Sequence, residues 1–187
     1  MYSMRKESYL LGGLYDLVKY VNLPNHTTLV ELGSYRGEST EVWAKHYDDV
    51  IAIDPWVYEL TPDMLNFLNS GSREGVDWEN LGTIFTDVEK SFDERMSPYK
   101  ITKLKMFSDN ALGIFDDGSI DMVYIDALHD YDTVFKDIEQ WSKKIKPGGF
   151  ISGHDYTKEW AGVVQAVDEH FRKPDKVFGD TSWVVGW

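Results

Sequence analysis

The sequence is 187 residues long and has 19 basic and 32 acidic side chains, which give a formal net charge of −13. A chain this acidic lacks the basic surface that binding along a nucleic-acid backbone requires, and no apolar run approaches the roughly 18 residues of a membrane span. Its 42% apolar residues exclude wholesale disorder, and the lack of cysteine excludes disulfides, thiolate catalysis and zinc–thiolate sites. We expect a single cytoplasmic domain over residues 1–187.

Apolar periodicity predicts a chain in which strands alternate with helices. An amphipathic helix lies within residues 1–24 and ends near Pro24. The predicted strands after it are 28–32, 50–53, 103–107, 120–125 and 150–152. The predicted helices are 38–47, 81–96, a segment that starts at Asp130 and a segment from Trp160 to Phe171, with Trp160 among the apolar residues of that last helix. The clustered acids are expected on a solvated face: Asp116, Asp117, Asp130, Asp132 and Asp137.

The sequence also predicts where the helix after Asp130 ends and which turn closes the C-terminal hairpin. The helix after Asp130 carries an apolar stripe that extends to Ile145, and Pro147 followed by two glycines is expected to end it. Near the carboxyl terminus, Gly179 and Asp180 lie between two apolar runs. They predict a hairpin in which Gly179 takes the positive φ of a type II′ turn.

The alternation of strands and helices also predicts the fold class. It favours right-handed crossovers and a parallel sheet with helices on both faces. With the terminal hairpin we expect a Rossmann-like, doubly wound α/β fold, whose mostly parallel seven-stranded sheet ends in an antiparallel C-terminal hairpin. Residues 56–80 are acidic and too long for an ordinary strand-to-helix loop, so we expect an insert or a lid there.

Ligands of such sheets bind outside the carboxyl ends of the strands, and the first strand runs into Glu31-Leu32-Gly33-Ser34-Tyr35-Arg36-Gly37-Glu38. Gly33 and Gly37 allow a tight turn and let a ligand lie against bare backbone. The glycine spacing is one residue too short for a Walker A loop, and Tyr35 stands where a dinucleotide fingerprint needs glycine. Neither of these phosphate-binding loops fits the sequence.

Three acidic residues around this loop indicate the charge of the ligand. Glu31 and Glu38 flank the turn, where carboxylates would repel a phosphate but suit a positively charged group. Asp54, at the end of the second strand, is placed to accept hydrogen bonds from ribose hydroxyls. A nucleoside with a cationic tail and no phosphate satisfies all three residues, and S-adenosylmethionine is such a molecule.

At these residues the sequence resembles the class I S-adenosylmethionine-dependent methyltransferases. The resemblance covers about residues 29–187 and rests on Glu31-x-Gly33-x-x-x-Gly37, Asp54, Ser108-Asp109, Lys146-Pro147-Gly148-Gly149 and the closing hairpin. It implies that the loop from Gly33 through Ser34 and Tyr35 to Gly37 faces the methionine part of the cofactor, supported by Glu31. It also implies that Asp54 holds the ribose, that Ser108 or Asp109 meets the adenine, and that Asp126 contacts the cofactor.

The ends of the fourth and fifth strands carry the candidate reacting groups. Asp126 follows the fourth strand and Asp155 the fifth, so neighbouring strands would bring the two carboxylates close together. At that range they repel unless a cation or a shared proton lies between them, and oxygen ligands suit Mg²⁺, Ca²⁺ or Mn²⁺. Such an ion would lower the pKa of a substrate hydroxyl, and His129, titrating near neutral pH, would then remove the proton.

The motifs Asp126-x-x-His129-x-Tyr131 and Gly153-His154-Asp155-Tyr156 resemble the metal-dependent O-methyltransferases of small molecules. The resemblance implies that Asp126 and Asp155, with His154, bind Mg²⁺ or Mn²⁺ and that His129 is the base. His154 stands where those enzymes often have an acidic residue, and Tyr156 where an Asn is usual in the catechol-type members. An imidazole ligand favours Mn²⁺ over Mg²⁺.

We therefore expect methyl transfer from S-adenosylmethionine to a hydroxyl of a small-molecule acceptor, with Asp126 and His129 as the catalytic residues. Two alternatives remain open. One is a regulatory protein that binds S-adenosylmethionine without transferring its methyl group. The other is a nicotinamide-dependent oxidoreductase, which Tyr35 and the flanking carboxylates disfavour. We expect neither nucleic acid nor membrane as a partner, and a homodimer, because a short chain needs a neighbour to close its site.

Overall fold

A computed structural model describes residues 11–56 and 81–187 of the chain. The first ten residues and nearly all of the predicted insert or lid, from residue 57 to residue 80, lie outside the described residues. Among the residues that are described, no helix has both the length and the apolar character needed to cross a membrane.

Seven strands and six α-helices make up the described part of the chain. The strands are β1 (Thr28–Leu32), β2 (Asp49–Asp54), β3 (Thr102–Lys105), β4 (Ile120–Ile125), β5 (Ile145–Gly153), β6 (Lys176–Val177) and β7 (Trp183–Gly186). The helices are α1 (Gly12–Val21), α2 (Glu38–Ala44), α3 (Leu81–Met96), α4 (Ser108–Ala111), α5 (Tyr131–Trp141) and α6 (Ala161–Phe171).

The strands form one sheet in the order β3-β2-β1-β4-β5-β7-β6. The five strands from β3 to β5 are parallel to their neighbours, and β7 is antiparallel to both β5 and β6. This is the predicted Rossmann-like sheet with its antiparallel C-terminal hairpin. The strand order reverses between β1 and β4, and such a switch point is where ligands of open α/β sheets bind.

The interior of the sheet is buried because helices cover both of its faces. Val30 and Leu32 of β1 belong to the apolar cluster that α5 and α6 complete on one face, and Leu29 belongs to the cluster that includes α1 and α2 on the other. Side chains alternate between faces along a strand, so Glu31 points to the same side as Leu29. Glu31 is fully buried, and a buried carboxylate in a central strand needs hydrogen-bond partners.

The helix after Asp130 is shorter than its apolar stripe predicts. Asp130 caps it as expected, because its Oδ1 accepts a hydrogen bond from Thr133 N at 3.0 Å. The helix ends at Trp141, and after a short 3-10 turn Ile145 already begins β5, where it pairs with Ile120 of β4. The apolar residue at the end of the stripe therefore belongs to the sheet, and Pro147 lies inside a strand.

The terminal hairpin forms where it was predicted, but with a different turn. Thr181, with φ 75°, is the left-handed residue, and Gly179 does not take a positive φ. Phe178 N donates to Ser182 O at 2.8 Å, which leaves a three-residue loop in place of a two-residue turn. The buried Asp180 explains the difference, because its Oδ1 accepts a hydrogen bond from Ser182 N at 3.0 Å and stabilises the longer loop.

Candidate functional site

The carboxyl ends of the central strands meet at one edge of the sheet. Backbone hydrogen bonds continue past the strand ends, from Gly33 N to Ile53 O at 2.8 Å and from Asp126 N to Leu32 O at 2.8 Å. A third such bond joins His154 N to Ile125 O at 3.0 Å. The ends of β1, β2, β4 and β5 are thereby held side by side, and most of the predicted site residues lie in this region.

Both predicted glycines of the first loop have positive φ, 85° at Gly33 and 80° at Gly37. A Cβ at Gly33 would overlap the backbone carbonyl oxygen of Asp126, so glycine is required there for contact between two chain segments. At Gly37 a Cβ would lie 3.0 Å from Phe92 Cδ2. The predicted tight turn is confirmed, and Gly33 also joins the loop directly to the strand end that carries Asp126.

Glu31 supports the loop from beneath. Its carboxylate accepts hydrogen bonds from the hydroxyl of Thr40 and, at 3.0 Å, from Trp43 Nε1, and both donors belong to α2. Burial raises the pKa of Glu31 above its ordinary value, against the hydrogen bonds that lower it. Glu31 thus fastens α2 to β1, and the neighbouring Ser34 is buried as well.

Glu31 and Glu38 would repel a phosphate less strongly in the structure than the sequence alone predicts. Glu31 is buried and its pKa is raised, which favours its protonated form. Glu38 Oε1 lies 3.7 Å from Arg95 Nη2, so its charge has a cationic neighbour. Arg95 was not expected near this loop, because α3 carries it almost sixty positions later in the chain.

Asp54 connects the loop after β1 to the end of β2. Its Oδ2 accepts a hydrogen bond from Tyr35 N at 2.9 Å, and its Oδ1 accepts one from Trp56 N at 2.7 Å. Trp56 Nε1 in turn donates to Tyr35 O at 2.9 Å, and both residues have positive φ, 46° at Tyr35 and 43° at Trp56. Strained backbone of this kind concentrates at ligand sites. Each Asp54 oxygen keeps a lone pair for a ribose hydroxyl.

The residues predicted to meet the adenine contact α5. Ser108 Oγ donates to Asp137 Oδ1 at 2.9 Å, and Asp109 forms an ion pair with Lys136. Asp137 was expected on a solvated face, but only 2% of it is exposed. Burial raises its pKa to about 6, helped by the charge of Asp109 and opposed by the Ser108 hydrogen bond. The sequence interpretation of Asp137 was therefore wrong.

The reacting groups come together as the sequence predicted. His129 Nε2 lies 2.8 Å from Asp155 Oδ2 and 3.5 Å from Asp126 Oδ1, so the imidazole edge contacts both carboxylates. His154 Nδ1 lies 3.1 Å from Asp155 Oδ1. Asp155 has a φ of 61°, a left-handed conformation that is rare outside glycine. The two acids and two histidines form one cluster at the ends of β4 and β5.

Electrostatics in this cluster differ from the expectation of a histidine that titrates near neutral pH. Burial alone would lower the pKa of His129, but hydrogen bonds and charges from Asp126 and Asp155 outweigh it and raise the pKa to about 9. Burial would raise the pKa of Asp155, yet the two histidines hold it well below its usual range. The carboxylates therefore favour the imidazolium form of His129, and its neutral form, which alone can accept a proton, becomes more populated as the pH rises toward 9.

Three of these residues also have the donor types of a metal site. One ligand atom from each of Asp126, His154 and Asp155 lies within 4.8 Å of the others. Two carboxylate oxygens and one imidazole nitrogen fit a divalent cation, and the nitrogen favours Mn²⁺ over Mg²⁺. His129 Nε2 now contacts both carboxylates, so a cation between them requires the imidazole to move.

A family comparison identifies the chain. Residues 30–156, well over half of the sequence, match the family described as a methyltransferase domain. The chain belongs to the class I S-adenosylmethionine-dependent methyltransferases. The matched region contains the glycine loop, Asp54 and the Asp126–Asp155 cluster, and it ends at Tyr156. No curated protein is similar enough to the sequence to count as a match.

Solved structures of methyltransferases share the fold at low sequence identity. The chain is similar to the O-methyltransferase NovP, with a TM-score of 0.57, 17% identity and coverage of 97% of this chain and 78% of NovP. It is similar to the N-methyltransferase NodS from Bradyrhizobium japonicum, with a TM-score of 0.56, 14% identity and coverage of 98% of this chain and 97% of NodS. It is also similar to the tRNA (m1A58) methyltransferase TrmI from Aquifex aeolicus, with a TM-score of 0.60, 9% identity and coverage of 90% of this chain and 56% of TrmI.

These likenesses show the fold alone, and the three proteins are named for three kinds of methyl acceptor. The chain spans about half the length of several solved structures that it matches. Methyl transfer from S-adenosylmethionine is therefore the activity of the family, while the acceptor has to be argued from the site.

Proposed function

We propose that this methyltransferase transfers the methyl group of S-adenosylmethionine to a hydroxyl group of a small molecule, with His129 as the general base. The observation that carries the proposal is the contact of His129 Nε2 with Asp155 and Asp126, at the strand end that Gly33 touches. When bound, the cofactor supplies a methyl group on a sulfonium, which an oxygen nucleophile attacks in line. A hydroxyl must lose its proton for this attack, whereas a neutral amine can attack with its lone pair.

The proposed roles of the loop residues follow from their contacts. Gly33, Ser34, Tyr35 and Gly37 form the wall for the methionine part, with Glu31 beneath them, and Asp54 accepts hydrogen bonds from the ribose. Ser108 and Asp109 border the adenine. Asp126 extends from the strand end beside Gly33 and so faces both the cofactor and the acceptor.

The carboxylates determine which nitrogen of His129 takes the proton. Asp155 and Asp126 hold Nε2, so Nδ1 is the nitrogen that faces the acceptor hydroxyl. A base oriented by an acid on its far side is a recurring catalytic arrangement. Proton removal by a positioned side chain contributes about 10²- to 10⁴-fold to a rate.

We also propose that Asp126, Asp155 and His154 bind a divalent cation, Mn²⁺ in preference to Mg²⁺, in a second state of the cluster in which Nε2 of His129 has moved off the two carboxylates. A cation at this position lowers the pKa of a coordinated hydroxyl. Titration with Mn²⁺, followed by electron paramagnetic resonance, should detect a site that Asp155→Asn loses and that the exposed control Asp116→Asn keeps. Equal binding by both variants would place the ion elsewhere.

A small neutral or cationic acceptor suits the chain better than a polyanion, because the net charge is −13. A polyanion such as tRNA does not suit this surface. We expect a cytoplasmic protein and a homodimer in which the neighbouring chain helps to close the site. Light scattering at several protein concentrations tests the dimer.

The proposal is tested in two steps. S-adenosylhomocysteine at about 100-fold its Kd should raise the unfolding temperature by about 5–10 °C, and NAD should not. Isotope-labelled S-adenosylmethionine is then offered with sugars, phenols and matched amines. Labelled ethers support the proposal, and His129→Gln should slow their formation by about 10²-fold or more, with unchanged S-adenosylhomocysteine affinity.

The exposed His26→Gln is the control for this variant. Labelled amines without ethers would contradict hydroxyl transfer. Cofactor binding without any labelled product across the panel would favour the regulatory alternative.

A further inference from the structure

The segment after β5 surrounds His129 on more than one side. Its second residue, Asp155, contacts the imidazole at Nε2. Five residues later Trp160 lies against the imidazole face, with ring centroids 4.5 Å apart and ring planes 32° from parallel. The base and the residues that hold it thus come from two different segments, the loop after β4 and the segment from Asp155 to Gly162.

Trp160 is itself held in place. It ends the 3-10 turn Lys158–Trp160, and its backbone N donates to Thr157 O at 3.0 Å. Asp155 and Thr157 are joined by a further backbone bond, from Thr157 N to Asp155 O at 2.8 Å. The carboxylate that contacts the edge of His129 and the indole that covers its face therefore belong to one short bonded segment.

Gly162 brings α6 into direct contact with the loop that carries His129. A Cβ at this position would lie 2.7 Å from Tyr131 N and 2.9 Å from His129 O. Both are backbone atoms, which cannot give way as the end of a flexible side chain can. The first turn of α6 thus rests on the backbone at His129, and Trp160, the residue immediately before α6, is held beside the imidazole by this contact.

We propose that Trp160 is the positioning residue of His129. Its indole lies over one face of the imidazole and limits the ring rotation that would move Nε2 away from Asp155 and Asp126. Nδ1 then points consistently to the acceptor. The inference rests on the proposed function in one respect, that His129 takes the acceptor proton; the stacking geometry stands apart from it.

The first test uses nuclear magnetic resonance and needs no acceptor. His129 ring signals are assigned by their loss in His129→Gln. In the unaltered protein they should show nuclear Overhauser contacts to the Trp160 indole and a ring-current shift that Trp160→Leu abolishes. The control Trp187→Leu should leave the His129 signals in place, because the backbone of Trp187 bonds to Gly149 in the middle of β5 and its side chain is exposed. If the unaltered protein shows no such contact, the proposal is overturned.

The second test separates positioning from acceptor binding, once labelled product has been found. Trp160→Leu should lower kcat by about 10- to 100-fold, as expected for a displaced reacting group, with KM nearly unchanged. Trp160→Phe keeps an aromatic face and should recover most of the loss, and S-adenosylhomocysteine affinity should stay the same in both variants.

Two kinetic outcomes contradict the proposal. Unchanged kcat in a folded Trp160→Leu protein means that His129 needs no such support, and a raised KM at constant kcat means that Trp160 binds the acceptor. Should Trp160→Leu fail to fold, the contact in the unaltered protein and the Trp160→Phe kinetics still decide. If only the proposed function is wrong, the nuclear Overhauser contacts between His129 and Trp160 will be present but no labelled ether will form.

Discussion

The two halves of the site use carboxylates in opposite ways. On the cofactor side, Glu31 and Asp54 are buried and accept hydrogen bonds from neutral groups, and burial raises the pKa of both. At the reacting end, Asp155 is also partly buried, but two histidines hold its pKa well below the usual range. The comparison indicates that the first pair supports the loop after β1, whereas the histidines around Asp155 favour its charged form.

The strongest test of this comparison is Gly33→Ala, at the point where the halves touch. The new Cβ would overlap the carbonyl oxygen of Asp126 in a backbone with φ 85°, so both loops must move. We expect a loss of about 3 kcal/mol or more of unfolding free energy, measured in urea, and no S-adenosylhomocysteine binding.

Gly113→Ala is the matched control for that variant. Nothing lies within 4 Å of a Cβ at Gly113, so its effect should be small. Similar losses for the two substitutions would show that the contact between the halves is unimportant.

The second largest expected effect is weaker binding of S-adenosylhomocysteine in Asp54→Ala. Asp54→Ala removes the acceptor of Tyr35 N and Trp56 N and the proposed ribose partner. A charged hydrogen bond is worth about 1.5–3 kcal/mol, so the Kd of S-adenosylhomocysteine should rise about 10- to 100-fold in calorimetry. Asp49→Ala, at the exposed amino end of the same strand, should leave the Kd unchanged. Unchanged affinity in Asp54→Ala would mean that the ribose is held elsewhere.

The smallest effect concerns Asp137, a buried acid that accepts a hydrogen bond from Ser108. The folded-state pKa of Asp137 is raised to about 6 from an ordinary value of 3.8. The folded chain therefore binds the proton more tightly than the unfolded chain, so this group's contribution to stability is full below pH 3.8 and is lost as the pH rises through about 6.

Asp137→Asn removes this pH dependence. We subtract the unfolding free energy of the unaltered protein from that of the variant, both measured in urea. This difference should be about 1–3 kcal/mol larger at pH 8 than at pH 4. The exposed Asp132→Asn in the same helix should show no such gain. A gain that is equal in the two variants would assign the effect to net charge.

The residues missed by sequence analysis share one feature. Trp56 was assigned to the start of an insert, Asp137 to a solvated face, and Trp160 to the apolar side of a helix. Each acts on a residue of another segment: Trp56 bonds Tyr35, Asp137 bonds Ser108 and Trp160 covers His129. Periodicity describes one element at a time, so contacts between elements leave no local pattern.

The glycine loop shows the opposite case. Gly33 and Gly37 were predicted to turn tightly because glycine alone takes positive φ without strain, and this property depends on the residue itself. The same holds for the Asp130 cap, whose carboxylate binds an N–H three residues away. The predicted type of the hairpin turn was wrong, because the buried side chain of Asp180, and not Gly179, determines the conformation of the loop.

The sequence by itself determined the order of strands and helices, the parallel sheet, and the polar residues at the strand ends, because these follow from periodicity, crossover handedness and the spacing of glycines. Only the tertiary structure decided in which direction the pKa values of these residues shift. The raised pKa values of Glu31 and His129, and the lowered one of Asp155, depend on burial and on neighbours brought within about 3 Å by the sheet. Solvation and distance, on which ionisation depends, are properties of the packed chain.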